Sequence, residues 1–481
     1  MKQIVFSTLI CFLLGSGTAL YAQTDGITGA TSQTTKEETK KKTSEKKKKK
    51  EKTKGNKENT SLATGYSTQD VQAPFYSGEA EKDTIVSSPV QIRKTRLTPE
   101  LNVENGIVST INKSGYTIKA GKGDFIFKPY VLIQTAANFN YYDDEGLDKA
   151  YNQDNVANTG FSIPNAILGF TGRAFGRVTF NLSLNAAKTG GELLQQAWFD
   201  VELKKQIGFR VGKFKTPFSH AYLTTLGETL FPSLPTSLTS AVIIPHDLNA
   251  VNPSIGTGFD LGVEMHGLLG GKWQYQAGIF NGTGSTVNAA TKTLSDDLHI
   301  PSLLYAGRIA FMPKGVMPSS QGTPDNLHDD KMLFALSGSY NVESENESTN
   351  DLRAGFEFAW IKNRWYLGAE FYYMHMGFTE RQQISRSFDF IGGYAQAGYF
   401  ITPKLQAAAR YDLYNRNGMD AKGFLNIPAV GLNYYFSNYN LKVQAMYQYT
   451  ARTGHETQLD RDNDDLGLSV HNAMIMLQYS F

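Results

Sequence analysis

Most of the chain after residue 124 alternates between apolar and polar side chains. Between Gln196 and Lys204 the apolar residues take every second position: Ala197, Phe199, Val201 and Leu203. The charged residues of this stretch lie between them: Asp200, Glu202 and Lys204. Successive side chains of a β-strand point to opposite faces of the sheet. A period of two therefore predicts strands with one apolar face and one face toward water.

The same alternation recurs along the rest of the chain. It is clear in residues 177–185, 259–266 and 472–481. Sixteen such segments can be distinguished, and they begin near residues 125, 162, 176, 192, 207, 258, 272, 303, 331, 351, 364, 388, 404, 427, 440 and 471. A strand that crosses a bilayer needs only about 9–11 residues. The pattern thus predicts sixteen strands, and an even number brings both chain ends to the same side of the sheet.

The connections between the predicted strands differ in length. Tight ones lie at 172–176, 205–206 and 437–440, and long ones lie at 216–257, 282–302, 314–330 and 452–470. Short turns on one rim and long loops on the other are typical of an outer-membrane β-barrel. Aromatic pairs near strand ends, such as Tyr141-Tyr142 and Tyr372-Tyr373, and the terminal Phe481 fit the aromatic belts of such a barrel. An array of soluble β-sandwiches would share the alternation and is the alternative fold.

The N-terminal residues resemble an export signal. Lys2 precedes an apolar core at residues 4–14, and 19–22 form a plausible cleavage site. We therefore predict a signal peptide at 1–22. No run of about 20 apolar residues follows, so no transmembrane helix is predicted. Cys11, the one cysteine, lies within the signal, so the mature chain is expected to lack disulfides and zinc–thiolate sites.

Residues 23–121 have the composition of a tail. Within them, 36–59 contain twelve Lys and five Glu, a net charge of +7. The whole chain carries +2, so the remainder is mildly acidic at −5. We predict a largely disordered periplasmic extension, because the first part of this tail is rich in Ser, Thr, Lys and Glu and has almost no apolar residues to bury. It would be either a solvated linker or a weak contact with anionic envelope polymer or lipid, and an exported chain is not expected to bind nucleic acid.

Two pairs of segments carry a family resemblance. Residues 196–200 (QAWFD) with 209–218 (FRVGKFKTPF), and 259–267 (FDLGVEMHG) with 275–282 (YQAGIFNG), resemble the phosphate-selective porin O and P family. Residues 306–308 and 393–400 add to the resemblance, which runs from about residue 125 to the end. It implies a 16-stranded antiparallel transmembrane β-barrel over residues 122–481, usually a homotrimer, in an outer membrane. It also implies a long loop folded into the pore, for which 216–257 is the candidate.

Charged residues on the water-facing sides of the strands are the candidate pore lining. The basic ones are Arg177, Lys204, Arg210, Arg308, Arg353, Arg410 and Lys442. The acidic ones are Asp200, Glu202, Asp260, Glu264, Glu357, Glu370 and Asp412. This lining is nearly balanced in charge. The charges either pair and stiffen the wall, or a row of Arg draws anions through guanidinium hydrogen bonds.

The predicted constriction loop contains no basic residue between Thr216 and Gly258. Its ionisable residues are His220, Glu228, His246 and Asp247. This composition argues against tight phosphate selection. His220, His246 and Asp247, with Ser219 nearby, are the only candidates for a catalytic group. Ser219 and His220 as neighbours on an extended chain would point differently, so no enzyme activity is expected. The acidic run 460–465 could bind calcium but lacks an EF-hand pattern, and no cofactor or metal is expected.

These observations predict an outer-membrane porin that lets small hydrophilic solutes and ions diffuse passively, with an anion preference left open. Its partners would be outer-membrane lipid, the transported solutes and two further copies of the chain. The alternative is a structural or adhesive barrel with a blocked lumen. A TonB-dependent transporter is disfavoured, because it would need a plug domain and about 22 strands, and the extension is too polar for a plug.

Overall fold

A computed structural model provides the structure of the chain. It describes residues 108–112, 115–120, 124–142, 157–189, 192–239, 243–246, 258–283, 301–324, 330–342, 349–378, 388–415, 424–453 and 469–481. All of them belong to one unit of the chain, Tyr66–Phe481. The predicted signal peptide, the Lys-rich run, Asp247 and the acidic run 460–465 lie outside the described residues.

The described part of the chain is built almost entirely of antiparallel strands. They are β1 (Val108–Asn112), β2 (Gly115–Ala120), β3 (Phe125–Tyr142), β4 (Ala157–Ala174), β5 (Val178–Asn185), β6 (Leu194–Lys204), β7 (Ile207–Lys215), β8 (Phe259–Leu269), β9 (Trp273–Phe280), β10 (Leu304–Phe311), β11 (Lys331–Asn341), β12 (Thr349–Lys362), β13 (Trp365–Phe378), β14 (Phe388–Thr402), β15 (Leu405–Asn415), β16 (Phe424–Ser437), β17 (Leu441–Thr453) and β18 (Ser469–Ser480). From β3 onward, every strand begins within five residues of its predicted start.

Strands β3–β18 form a closed barrel. Each pairs with its neighbour in sequence, and β18 returns to pair with β3 from Val470↔Tyr142 to Ser480↔Leu132. The terminal Phe481 continues this seam through backbone hydrogen bonds in both directions with Val131. The predicted 16-stranded antiparallel barrel is therefore confirmed. Closure leaves no unpaired barrel edge, which is the condition for strands to cross a bilayer.

A short hairpin precedes the barrel. Strand β1 pairs with β2, and β2 pairs with the first residues of β3 from Ile118↔Phe127 to Ala120↔Phe125. The β3 residues in these pairs precede Val131, the last one that the C-terminal strand contacts. Strand β2 therefore pairs with the part of the β3 edge that β18 does not reach. Residues 108–112 and 115–120 of the predicted extension are thus part of the sheet.

The two rims differ in the length of their connections. On the rim that holds both ends of the barrel chain, six of seven connections span only two or three residues. In the β4–β5 turn, Phe175 and Gly176 have φ of 54° and 70°, the left-handed backbone of tight hairpin turns. The seventh connection, 312–330 between β10 and β11, is long. The sequence pattern grouped it with the long loops, but its strands place it on the short-turn rim.

The outer surface of the barrel is apolar, with aromatic side chains near its rims. Close to the short-turn rim, Trp273 packs on Phe311 at 4.5 Å between ring centroids, and Trp365 packs on Tyr399 at 4.6 Å. Apolar outward side chains remain exposed between the rims, for example Val430, which is 57% exposed. A band of this kind matches the hydrocarbon of a bilayer, with aromatic rings at its interfaces.

Short helices occur in the connection between β7 and β8. The β7–β8 segment contains two four-residue helices, α1 (His220–Leu223) and α2 (Thr236–Thr239), with a single 3-10 turn at Leu226–Glu228. Among the residues that the structure describes, no helix is long and apolar enough to cross a membrane. We refer to residues 216–257 as the constriction loop, of which 216–239 and 243–246 are described.

Candidate functional site

The constriction loop fills part of the lumen, as the predicted fold required. Phe218, Ala221, Tyr222, Leu230 and Phe231 are at most 1% exposed. Leu230 and Phe231 share an apolar cluster with inward side chains of the wall, including methionines of β17 and β18. Burial of these side chains gives the loop its driving force to fold inward, since each large apolar side chain contributes about 1.5–3 kcal/mol.

Helix α1 is seated on the carboxylate of Glu370. This β13 side chain accepts a 2.6 Å hydrogen bond from the backbone N–H of Ala221. It also accepts hydrogen bonds from the hydroxyls of Tyr372 at 3.0 Å and Tyr394 at 2.7 Å. At the start of α1, the Ser219 hydroxyl accepts from the backbone N–H of Tyr222 at 3.1 Å. A buried acid is tolerated here because donors surround it.

Helix α2 is held in the same way, by a carboxylate of β15. Asp412 accepts hydrogen bonds from the backbone N–H groups of Thr236 and Ser237, the latter at 3.2 Å. Two positions earlier on the same face, the Arg410 guanidinium donates to the Ser233 carbonyl at 2.8 Å. It lies 4.6 Å from the Phe231 ring centroid. The acid therefore binds the free N–H groups of the helix start, and the base binds a carbonyl of the preceding turn.

Donors of the wall hold the carbonyls between the two helices. Lys442 and Gln444 donate to the Thr229 carbonyl at 3.2 and 3.1 Å. The remaining contacts come from three strands: Asn433 to Leu230 at 2.8 Å, Gln478 to Gly227 at 3.0 Å, and Lys215 to Thr224 at 3.3 Å and to Tyr222. The loop lacks regular backbone pairing, so these side chains replace the hydrogen bonds that a sheet would supply.

Glycines of the wall make room for the loop. A Cβ atom at Gly398 would lie 2.6 Å from the Leu230 side chain, and one at Gly431 would lie 3.1 Å from the Phe231 ring. A glycine inside a strand often marks such a close approach of another segment.

Most charged residues of the predicted pore lining are buried, in contact with the constriction loop or with other polar groups of the wall. Arg308, Arg353, Arg410, Lys442, Asp200, Asp260, Glu264, Glu357, Glu370 and Asp412 are at most 6% exposed. Arg308 and Glu357 form an ion pair at 2.7 Å, and Arg210 pairs with Asp200 at 2.9 Å. Around this second pair, His266 contacts Asp200 at 3.0 Å and the guanidinium lies 4.6 Å from the Trp198 ring centroid.

The ionisable residues of the constriction loop have different surroundings. His220 is buried near Arg308 and Glu357, and burial together with the Arg308 charge lowers the pKa of His220 to about 4. Burial raises the pKa of Glu228 to about 7, and Lys442 opposes that rise. His246 contacts the Ile244 carbonyl through Nδ1 at 2.7 Å. The Ser219 hydroxyl caps α1 and lies 3.4 Å from the hydroxyl of Tyr372. No group of three metal-ligating side chains occurs in the described ranges.

A second set of inward charges is open to solvent. Strand alternation places Arg173 and Glu202 on the inner face near the short-turn rim. Arg177 lies in the adjoining β4–β5 turn and Lys204 at the irregular end of β6, and all four are exposed. Lys128 lies nearby on β3 and is half-buried. Within the described part of the chain, none of these five has an ion-pair partner. Arg173 and Lys128 were missed at the sequence level, although continuing the inward alternation of β4 and β3 would have found them.

A closed sixteen-stranded barrel with an aromatic-edged apolar exterior and an inward-folded loop defines an outer-membrane porin. The chain belongs to the family described as phosphate-selective porin O and P, which matches residues 133–481. The suspected family is thus confirmed, and the protein lies in the outer membrane. Since porin turns are short on the inner side, the short-turn rim faces the periplasm and the other rim faces outward.

Solved structures of other outer-membrane proteins are similar to this chain at low identity. The channel DcaP of Acinetobacter baumannii is 11% identical with a TM-score of 0.46, covering 75% of this chain and 99% of that one. OmpT of Vibrio cholerae is 12% identical with a TM-score of 0.43, covering 76% and 100%. OmpF of Salmonella typhi, in complex with daunomycin, is 12% identical with a TM-score of 0.46, covering 74% and 98%. No curated protein matches the chain.

Proposed function

We propose that this porin conducts small hydrophilic solutes with a preference for anions, and that the periplasmic mouth sets this preference. The supporting observation is the exposed charge there. Among the described residues of this mouth, the bases Lys128, Arg173, Arg177 and Lys204 outnumber the exposed acids beside them, Glu202 and Asp124. Like charges lining a low-dielectric cleft focus their field and raise the local concentration of counter-ions.

The buried charges do not serve this preference directly. Arg308 is neutralised by Glu357, and Arg410 and Lys442 bind carbonyls of the constriction loop. These contacts favour the view that the wall charges stiffen the barrel and hold the loop. The loop itself has no basic residue between Thr216 and Gly258. We therefore propose a general anion preference and not a phosphate-specific pore.

Reversal potentials in planar bilayers under a KCl gradient test this proposal. The native channel should favour chloride, and the triple variant Arg173→Gln, Arg177→Gln, Lys204→Gln should shift the reversal potential toward zero or cation preference. Lys404→Gln is the matched control, because Lys404 is an exposed base in the β14–β15 turn of the same rim. An unchanged reversal potential in the triple variant would refute the proposed role of the mouth. Block of chloride current by inorganic phosphate at low concentration would refute a general preference.

A second candidate is a structural or adhesive barrel. It is favoured by the inward side chains of β10–β18, which are buried at mid-height; Arg353, Glu357, Asp412 and Gln444 are 0% exposed. Folded protein that inserts into bilayers but gives no current would favour this candidate over the channel. We also propose a homotrimer, as the family resemblance implies, to be tested by sedimentation of the protein in detergent.

A further inference from the structure

The long connection on the periplasmic rim enters the lumen. We call its described part, residues 312–324, the strap. It leaves the rim at the end of β10, where Met312 donates its N–H to the Lys272 carbonyl at 2.7 Å. At its far end, Tyr439 in the β16–β17 turn donates to the Gly322 carbonyl at 2.6 Å. The strap therefore reaches from β10 to the turn six strands further around the barrel, across the periplasmic side of the lumen.

The strap lies directly against the constriction loop. The Ser319 carbonyl accepts the N–H of Thr225 at 2.9 Å, and the hydroxyls of these two residues are also 2.9 Å apart. Gln321 donates its N–H to the Glu228 carbonyl and accepts the N–H of Leu230 through Oε1, both at 2.9 Å. Together the two segments fill part of the lumen, where inward side chains of the wall are buried at mid-height; Leu226 of the loop also packs on Leu132 and Ile167 of β3 and β4.

The two segments are held in different ways. The constriction loop is fixed by buried wall groups, with Glu370 and Asp412 at its two helix starts. The strap binds the loop through ordinary neutral hydrogen bonds, which are weaker than charge-assisted ones. Its apolar contacts come from Met312 and Met317, a residue type that repacks readily.

The strap also has hinges and an anchor. Gly315 and Gly322 have φ of 88° and 129°, backbone that other residues rarely adopt, so both ends can rotate more freely than their neighbours. At the rim, Asp330 forms an ion pair with Lys314 and accepts a hydrogen bond from Trp360 at 2.9 Å. This contact joins the two ends of the connection, so the base of the strap stays in place when its tip moves.

We propose that the strap is a hinged stopper that gives this porin two pore sizes. With the strap in place, the lumen beneath the constriction loop is narrowed and the pore passes only the smaller solutes. When the strap swings toward the periplasm, Ser319 and Gln321 leave the loop and the lumen widens there. The device goes beyond anion preference, because it sets the size of the pore and not its charge.

A reversible disulfide tests the stopper. Thr225→Cys with Ser319→Cys places two thiols where hydroxyls are 2.9 Å apart, and a disulfide needs about 2.05 Å between its sulfur atoms. Single-channel recordings of the reduced variant should show a small and a large conductance level. Oxidation should remove the large level, and reductant should restore it. A large level that survives oxidation, or a reduced protein that never leaves the small level, would overturn the proposal.

Single-cysteine variants separate the cross-link from effects of the oxidant and of the lost hydroxyls. Thr225→Cys alone and Ser319→Cys alone cannot form the disulfide. Both levels should persist in each of them after oxidation, and their loss would contradict the proposal.

A second measurement does not depend on disulfide formation. Gln321→Ala removes the acceptor for the Leu230 N–H and should lengthen the time spent at the large level. Ser320→Ala is the matched control, because its hydroxyl donates only to Gly322 within the strap, at 3.1 Å. Equal dwell times in the two variants would count against the proposal. Failure of the anion preference would appear separately, as a changed reversal potential at either level.

Discussion

Replacement of Asp412 by alanine tests whether the wall carboxylates hold the constriction loop. The carboxylate of Asp412 is 0% exposed and accepts the N–H groups of Thr236 and Ser237. A hydrogen bond to a charged group contributes about 1.5–3 kcal/mol. Thr236 is half-buried, so water can replace part of the loss. We therefore expect local opening of the loop to become easier by about 3 kcal/mol, near the lower limit for two such bonds.

This change in free energy corresponds to about a 100-fold larger open population, since 1.4 kcal/mol is a factor of ten. Limited proteolysis measures it. Trypsin has no cleavage site between Thr216 and Gly258, whereas chymotrypsin can cut after Leu238, which precedes Thr239 in α2 and is 0% exposed in the closed loop. When opening is fast relative to cleavage, the rate of cutting follows the open population.

We expect cleavage after Leu238 about 100-fold faster in Asp412→Ala and about tenfold faster in Asp412→Asn, which keeps one acceptor oxygen. Asp389→Ala is the control, because that carboxylate binds Tyr373 at 2.7 Å and not the loop. Native rates of cleavage in both Asp412 variants would refute the view that this residue anchors α2.

Two further predictions concern the seat of the loop and its response to pH. Gly398→Ala should lower the free energy of unfolding by about 1–3 kcal/mol, because the added Cβ would clash with Leu230. Gly307→Ala is the control, since the nearest atom to a Cβ there is 3.5 Å away. Urea midpoints in micelles measure both, and equal midpoints would contradict the close packing of Leu230 on Gly398. Because burial raises the pKa of Glu228 from 4.5 to about 7 against the pull of Lys442, its contribution to stability is complete below pH 4.5 and is lost as the pH rises through about 7. Glu228→Gln should flatten the urea midpoint across this interval, and an unchanged pH profile would exclude the group.

The sequence alone determined the number of strands, their approximate starts and the face on which each residue lies. This succeeded because the signal is local: the apolar positions of 196–204 need only the period of a strand and a bilayer outside it. The inward position of Asp412 and Arg410 follows from the same alternation. The family resemblance supplied the inward loop, since a loop without strand period carries no signal of its destination.

Only the tertiary structure decided what the inward charges do. Asp412 accepts a hydrogen bond from the N–H of Thr236, and Lys442 donates one to the Thr229 carbonyl, although these partners are far apart in the chain. No periodicity reports such a meeting, because it depends on how the loop crosses the barrel. The strap is the clearest case. Its length was visible in the sequence, but its place beneath the loop follows from the closure of the barrel and from the backbone hydrogen bond between Thr225 and Ser319.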